Sequence, residues 1–209
     1  MKSLLIENQY FGTVNYYKML FEYSYIQIDQ YESFQKMSFR NRCIIPGSNG
    51  LIQLTVPVEK GRNQNTPIRE VKIAYKENWV LQHCRSMEAC FNRAPFFEFY
   101  KEELFGLLEE RPVFLFDLNW TILQWVLKKL KTPLNFGLSQ MEENNPNTLM
   151  EDRRNSQLPK NYGQSTLPIK YTQVFEDRNG FKQNLSILDL LCCTGPAAIS
   201  YLKSNDSLK

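Results

Sequence analysis

The chain has 209 residues, of which 43% are hydrophobic and 22% are charged, a balance typical of globular proteins. Its 25 Lys and Arg residues face 22 Asp and Glu residues, so the formal net charge is only +3. Nucleic acid is normally bound by a concentrated cationic surface, and the basic residues here are scattered, so we expect no nucleic-acid partner. No apolar run approaches the ~20 residues that cross a bilayer, so we expect no membrane span.

Length and cysteine content favour one domain in a reducing compartment. A single core suits a chain of this size, so we predict one domain over residues 1–209. The five cysteines are odd in number and lack metal-site or redox-motif spacing, which indicates free thiols. Glu7 and Asn8 interrupt the short apolar start before a signal-peptide core could form. We therefore expect a cytoplasmic protein.

The chain begins with the pattern of a strand, a helix and a second strand. We predict these elements at Ser3 to Ile6, at Tyr16 to Tyr23 and at Tyr25 to Asp29. A helix between two strands favours their parallel pairing. Open parallel sheets bind ligands at the carboxyl ends of their strands, so the polar loops after Ile6 and after Asp29 should border a ligand site.

A β-hairpin, a further strand and three helices are predicted next. Gly47-Ser48-Asn49-Gly50 separates two β-rich runs, Arg42 to Pro46 and Leu51 to Val58, which is the pattern of a hairpin. Ile68 to Ile73 has the composition of another strand. The predicted helices are Trp79 to Arg93 with Asn78 as N-cap, Phe96 to Leu108, and Leu118 to Leu130 with Asp117 as N-cap.

The last third of the chain contains a polar segment followed by a strand and a helix. Residues 139–168 are too polar to bury much surface, so we predict a long surface loop or insertion there. We then predict a strand at Tyr171 to Phe175, a turn at Asp177 to Gly180, and a helix from Asn184 or Ser186 to Cys193 that ends at Gly195. The predicted fold class is α/β: a single domain with an open, mostly parallel or mixed sheet flanked by helices, a β-hairpin and this polar insertion.

Five short motifs follow one another in a fixed order along the chain. They are Phe39-Arg40-Asn41-Arg42, Leu54-Thr55-Val56-Pro57-Val58, Trp79 with His83, Ala94-Pro95-Phe96-Phe97, and Asn184-Leu185-Ser186-Ile187-Leu188-Asp189-Leu190-Leu191. In this order they resemble the WbqC-like protein family, from the first strand to Leu202 except for residues 139–168. The resemblance implies a role in bacterial surface-polysaccharide biosynthesis, as a transferase or sugar-modifying enzyme.

The opening of the chain departs from the pattern of that family, which begins Gln-Pro-x-Tyr-Phe-Pro with a Gly-Tyr-Phe shortly after. Glu7, Asn8, Gly12 and Asn15 replace the Gln, both Pro and the Gly, while Tyr10, Phe11, Tyr16 and Tyr17 remain. These departures lie in the loop after the first predicted strand, so the resemblance does not carry a reaction over to this chain.

His83 is the single histidine of the chain and a candidate catalytic residue. An imidazole is suited to general acid–base chemistry near neutral pH, and this one stands at the Trp-x-x-x-His position of the resemblance. A core histidine held by hydrogen bonds is an equally good interpretation. Because a two-histidine metal site is impossible, we predict no metal site; the sequence leaves the cofactor open.

Two polar groups are candidates for substrate binding. Lys36, Asn41 and Arg42 suit an anionic or nucleotide-like ligand, although Arg42 could instead pair with an acid and Asn41 could satisfy a bend in the backbone. Asn184, Ser186 and Asp189 stand at a predicted helix start, where an anion could bind; capping alone would explain Ser186 and Asp189. Two further candidates are Gln173, on the preceding predicted strand, and Tyr10, which could stack against a sugar or belong to the core.

The leading hypothesis is a small-molecule transferase that acts on an activated sugar or another anionic small molecule. In this hypothesis Lys36, Asn41 and Arg42 hold the substrate and His83 transfers a proton. The alternative is a non-catalytic ligand-binding or scaffold protein that uses the same pocket. Both require residues 41, 83 and 184 to surround one cavity.

Overall fold

A four-stranded parallel sheet and a separate β-hairpin are flanked by helices in the computed structural model of the protein, which describes residues 2–59, 66–140, 150–163 and 168–203. The strands are β1 (Ser3–Glu7), β2 (Tyr25–Asp29), β3 (Arg42–Gly47), β4 (Gly50–Thr55), β5 (Phe136–Leu138) and β6 (Met150–Asp152). The helices are α1 (Val14–Leu20), α2 (Trp79–Phe91), α3 (Phe97–Glu109), α4 (Leu115–Lys129), α5 (Glu176–Asn179), α6 (Ile187–Thr194) and α7 (Ala198–Lys203). The predicted α/β class is confirmed.

The strand order β5-β2-β1-β6 brings four carboxyl ends to one edge of the sheet. Both neighbours of β1 run parallel to it, with Glu7 opposite Asp29 in β2 and Leu5 opposite Asp152 in β6. β5 pairs in parallel with β2 on the far side. The predicted parallel unit β1-α1-β2 is therefore confirmed, and it forms the middle of the sheet.

The segment predicted as a polar insertion supplies an edge strand. Within residues 139–168, β6 pairs with β1, while 141–149 and 164–167 lie outside the described residues. The strand was missed because it has only three residues, two of them acidic, and its partner lies at the other end of the chain. An edge strand needs little apolar surface, since only one of its sides enters the ladder.

Two predicted strands are wrong. Ile68–Glu70 forms a 3-10 turn, and the rest of that run makes only isolated bridges. The run at 171–175 forms no strand: the backbone N–H of Gln173 donates to the side chain of Glu176 instead of to a ladder. In both places β-branched and aromatic residues reflect burial rather than pairing.

The helix ends follow the predicted caps in two of three cases. Asn78 accepts from the backbone N–H of Leu81 at the start of α2, and Ser186 accepts from that of Leu188 at the start of α6. Asp117 is not a cap, because α4 begins at Leu115, two residues before it. The turn predicted at 177–180 is the short helix α5, and Gly195 ends α6 with a positive φ of 56°.

One hydrophobic core joins the sheet, the hairpin and the helices. α1 packs on α6 and α7, α2 packs on β3 and α3, and α3 also packs on α4 and α6. All five cysteines are free thiols, as predicted. Among the described residues, none of the helices combines the length and the apolar character that a membrane crossing requires.

Candidate functional site

An open cleft of about 480 Å³ lies at the carboxyl ends of the parallel strands. Its lining comes from the segments after β2 and β6, namely Glu32, Ser33, Gln35, Asp152, Arg154 and Asn155. The volume lies within the range of small-molecule sites. The position is the one at which open parallel sheets bind ligands, because the chain leaves each strand there and exposes polar loops.

Asp29, the last residue of β2, holds the loop that borders the cleft. Its Oδ1 accepts the backbone N–H groups of Tyr31 at 2.9 Å and of Glu32 at 3.2 Å, and the hydroxyl of Ser139 at 3.1 Å. Ser139 follows β5, so three successive segments of the sheet edge are tied together at one carboxylate. Such bonds fix the position of Glu32 on the cleft wall.

Two arginines pair with the carboxylates of the cleft. Arg154 donates to Asp29 at 2.5 Å and to Asp152 at 2.6 Å. Arg40 has a fully buried side chain and binds both carboxylate oxygens of Glu32, with 2.6 Å between Nε and Oε1. A bidentate arginine–carboxylate pair of this kind forms two strong, charge-assisted hydrogen bonds.

Glu32 is the lining carboxyl group whose pKa is raised, whereas the hydrogen bond with Arg154 lowers the pKa of Asp152. Burial raises its pKa above the usual value, the hydrogen bond and charge of Arg40 oppose the rise, and the negative charges of Glu7 and Asp29 add to it. A raised carboxyl pKa brings proton exchange closer to neutral pH, which is the property of a general acid or base. Of these neighbours, Arg40 binds the Glu32 carboxylate directly and Asp29 accepts from the Glu32 backbone N–H.

Glu7 ends β1 behind the cleft wall and is only 1% exposed. Its Oε1 accepts from the side-chain amide of Gln9 at 2.7 Å, and its Oε2 accepts from the backbone N–H of Asn155 at 2.9 Å. The hydroxyl of Tyr16 donates to the Glu7 backbone carbonyl at 3.0 Å. Asn155 therefore connects the Glu7 carboxylate directly to the lining of the cleft.

Several buried polar atoms without a partner lie on residues near this strand end: both side-chain amide atoms of Asn8, Oε1 of Gln9, one terminal nitrogen of Arg40, Oδ1 of Asn155 and Oγ of Ser156. The other such atoms in the described residues lie on Asn41, Arg42, Trp79 and Asn119. Buried polar atoms are nearly always hydrogen-bonded in folded proteins, so such a group of exceptions indicates a place where a bound molecule supplies the partners. Among the described residues, no group of three or more His, Cys, Asp or Glu side chains could hold a metal ion.

The comparisons with known proteins assign a family to the chain. The model of the WbqC-like protein family matches residues 8–166, about three quarters of the sequence. The chain belongs to the WbqC-like protein family. No curated protein and no solved structure matches it. The matched range of this WbqC-like chain contains most of the cleft residues, but it ends before the predicted motif at 184–191.

His83 lies in the core of this WbqC-like protein. It is 4% exposed, its Nδ1 shares a hydrogen bond of 2.8 Å with the hydroxyl of Tyr10, and its ring packs edge-on against Trp79. Burial lowers the pKa of His83 to about 4, so the imidazole is neutral at physiological pH. Tyr10, the predicted stacking residue, is fully buried in the same aromatic cluster. The catalytic role predicted for His83 remains a prediction.

Asn41 and Arg42 lie at the start of the hairpin, while Lys36 is half-buried in the preceding segment. The Asn41 amide donates to the Val56 carbonyl at 2.9 Å, and its Oδ1 is buried without a partner. Arg42 makes only long contacts, to the Met37 sulfur at 3.4 Å and to Gln53 at 3.5 Å. Burial lowers the pKa of Arg42, so its guanidinium is incompletely compensated.

Asn184 bridges three segments of the WbqC-like chain. Its Oδ1 accepts the backbone N–H of Asn15 at 2.8 Å, while its amide donates to the Tyr162 carbonyl at 2.7 Å and to Gln157 at 3.0 Å. These bonds hold it in a left-handed backbone conformation with φ of 53°. They tie the first turn of α1 to the segment that follows the Arg154 and Asn155 wall of the cleft.

Ser186, Asp189 and Gln173 form internal contacts around α6. Ser186 caps the helix and also donates to the Phe11 carbonyl at 2.8 Å. Asp189 is fully buried and accepts from Tyr171 and from Gln173, each at 2.6 Å. Burial raises the Asp189 pKa to about 6, against the effect of those donors. Their partners are thus separate from those of His83 and Asn41; a role for them in substrate binding stays a prediction.

The sequence located the cleft but not its ionic residues. The rule that ligands bind at the carboxyl ends of parallel strands indicated the loops after β1 and β2. Glu7 and Asp29 carry that signal directly, because each is a carboxylate at a strand end. Arg40 and Arg154 do not follow a predicted strand end. Arg40 lies just before the hairpin, and Arg154 lies in the segment predicted as an insertion.

Proposed function

We propose that the protein is a small-molecule transferase or sugar-modifying enzyme that binds a hydroxyl-rich, sugar-type ligand in the strand-end cleft. The observation that carries this proposal is the group of unpartnered buried polar atoms on Asn8, Gln9, Arg40, Asn155 and Ser156. The free atoms of Gln9, Arg40 and Asn155 can only accept or only donate, whereas Asn8 and the Ser156 hydroxyl can do both. A sugar hydroxyl donates and accepts at once, so one such ligand can satisfy a mixed set of this kind.

The charges of the cleft favour an uncharged or positive group over a phosphate. Arg154 is already shared by two carboxylates, and Arg40 is bound to Glu32. A phosphate placed here would compete with these carboxylates and meet their repulsion. The cleft is therefore suited to the sugar acceptor rather than to an anionic donor.

Glu32 is the proposed proton-transfer group. It lines the cleft, its raised pKa suits proton exchange, and Arg40 stabilises its charged form. As a hydroxyl or amino group of the acceptor attacks the transferred group of the donor, its proton passes to Glu32 and the leaving group departs with the electrons of the broken bond. General base catalysis of this kind contributes roughly 10²–10⁴-fold to a rate.

An anionic donor, such as an activated sugar, would bind next to the cleft at Lys36, Asn41 and Arg42. The incompletely compensated Arg42 guanidinium supports this placement of the anion, and the free Oδ1 of Asn41 can accept from a hydroxyl of the donor. The chain runs from Ser33 and Gln35 on the cleft wall directly into these residues. A cytoplasmic place in surface-polysaccharide biosynthesis follows from the resemblance to the family and is part of the same proposal.

A non-catalytic ligand-binding or scaffold protein is the second candidate. It is favoured by the fact that both oxygens of Glu32 are bound to Arg40, which leaves the carboxylate less free to take a proton. In that case the cleft would bind a sugar without turnover. The two candidates share the ligand and differ in the chemistry alone.

Thermal unfolding with a panel of sugars, followed by turnover assays with nucleotide-sugar and acyl donors, tests the proposal. We expect Glu32→Gln to keep sugar-induced stabilisation and to lose about 100-fold or more in turnover. Glu22→Gln, an exposed carboxylate outside the cleft, is the matched control and should change neither.

Three results separate the alternatives. Binding by the wild-type protein without turnover of any donor would favour the non-catalytic candidate. Turnover that survives in Glu32→Gln but is lost in a folded His83→Ala variant would return catalysis to the histidine. Absence of stabilisation by every sugar would refute the proposed ligand class.

A further inference from the structure

Glu7 is the buried carboxylate of the cleft region that lacks a cationic partner. Asp29 and Asp152 pair with Arg154, and Glu32 pairs with Arg40. None of the ion pairs found in the described part of the chain includes Glu7, although only 1% of its surface is exposed. Glu7 is therefore a buried carboxylate of the site with which neither arginine pairs.

Two neutral donors do not complete the environment of this carboxylate. Gln9 and the Asn155 backbone give each oxygen one hydrogen bond, whereas an ionised carboxylate has about four lone-pair positions. Burying a charge without a counter-charge is strongly unfavourable. A ligand that carries a cationic group would remove this cost, and the affinity of that ligand would be higher for this reason.

A second observation indicates that a ligand reaches this position. Asn8, the next residue along the chain, is 1% exposed and has both side-chain amide atoms unpartnered. The fully buried Arg40 also has one terminal nitrogen without a partner, and Asn155 lines the cleft while its backbone binds Glu7. Unpartnered donors and acceptors thus lie on the residue that follows Glu7, on the arginine that binds Glu32, and on Asn155, which binds Glu7 and lines the cleft.

We infer that the ligand of the cleft carries a positively charged amino group and that the Glu7 carboxylate binds it. The ligand class is then an amino sugar with a free amine, its hydroxyls meeting the amide groups of Asn8 and Asn155. An ammonium donates three hydrogen bonds and accepts none, which matches a carboxylate with unused lone pairs. This inference rests on the proposed sugar-type ligand and narrows it.

The same geometry disfavours N-acylated sugars. Acylation removes the positive charge and one or more N–H donors, and it adds a bulky group where the amine would contact Glu7. A neutral hydroxyl at that position would form a hydrogen bond but would leave the carboxylate uncompensated. The site should therefore rank a free amine above a hydroxyl and above an acetamide.

Calorimetric titration with glucosamine, glucose and N-acetylglucosamine tests this order. We expect wild-type protein to bind glucosamine about tenfold or more tightly than the other two, which corresponds to one additional charge-assisted contact. Glu7→Gln keeps the shape of the side chain and should abolish the preference. Glu22→Gln, an exposed position, should keep it. Thermal unfolding of each variant verifies that it is folded. If Glu7→Gln does not fold, the order of the three sugar affinities of the wild-type protein still tests the inference.

The outcomes distinguish this inference from the proposed function. Equal binding of all three sugars would overturn the amino-group assignment and leave the sugar-type ligand standing. A preference for glucosamine that persists in folded Glu7→Gln would place the amine elsewhere and overturn the role of Glu7. Failure of all three to bind wild-type protein would overturn both.

Discussion

Removal of the Arg40 guanidinium should destabilise the protein in a pH-dependent manner. The side chains of Arg40 and Glu32 are 0% and 6% exposed, so Arg40→Met leaves a carboxylate that is almost fully desolvated and unpaired. Breaking a buried ion pair from one side costs about 3–5 kcal/mol. Arg40→Met combined with Glu32→Gln removes both charges and should recover most of that loss.

The pH dependence follows from the direction of the Glu32 pKa. In the folded protein it lies above the usual value, and loss of Arg40 raises it further, because Arg40 is what lowers it. A carboxyl with a raised folded pKa is most favourable below its unfolded pKa, and that stability is lost as the pH rises through the folded pKa. The penalty of Arg40→Met should therefore grow from about pH 4 towards pH 8.

Urea unfolding of the wild type, both single variants and the double variant at several pH values measures this coupling. Arg153→Met, which breaks the exposed pair of Arg153 with Glu151, is the matched control and should have no resolvable effect. A penalty for Arg40→Met that is constant with pH, or a double variant as unstable as the sum of the single variants, would refute the reasoning.

Two further predictions concern the core and the backbone. Proton NMR of the single histidine should give a His83 pKa near 4. Because the pKa in the unfolded chain is higher, the protein should lose stability as the pH falls from about 6.5 to 4. A titration midpoint of His83 near 6.5 would contradict this. Gly195→Ala should lower the free energy of unfolding by more than ~1 kcal/mol, because φ is +56° and a Cβ would lie 2.3 Å from the Phe96 ring. Gly106 lies in a helix with open space around it, so Gly106→Ala should raise that free energy by about 0.5–1 kcal/mol. Equal effects of the two substitutions in chemical unfolding would rule out the clash.

The sequence predicted the centre of the fold and one wall of the candidate cleft. Residues 3–29 show a strand, a helix and a strand in apolar patterning, and the parallel pairing follows from their connection. The strand-end rule pointed to the loops after Ile6 and Asp29; the second of these lines the cleft, and the other wall comes from Asp152 and the segment after it. Local pattern is sufficient for these features because their contacts are close along the chain.

The ionic residues of the cleft could not be predicted in the same way. Arg154 contacts Asp29 across 125 residues, and Arg40 is identified as a site residue only by its burial beside Glu32. A contact between residues far apart along the chain leaves no local sequence pattern, and neither does the burial of a single arginine. His83 shows the converse: the residue type suggested chemistry, while its environment is a hydrophobic cluster that holds it neutral.

The pairing of β6 with β1 joins Met150 to Ser3, the longest separation along the chain among the strand pairs of the described residues. Contacts between residues so distant along the sequence form late in folding, because closing the long intervening loop costs conformational entropy until local contacts have shortened it. A partly synthesised chain can already hold the neighbouring strands β1 and β2, but it lacks the wall that Asp152 and Arg154 provide. The sugar binding that we propose would therefore require that β6 has paired with β1, and an occupied cleft would in turn stabilise that pairing.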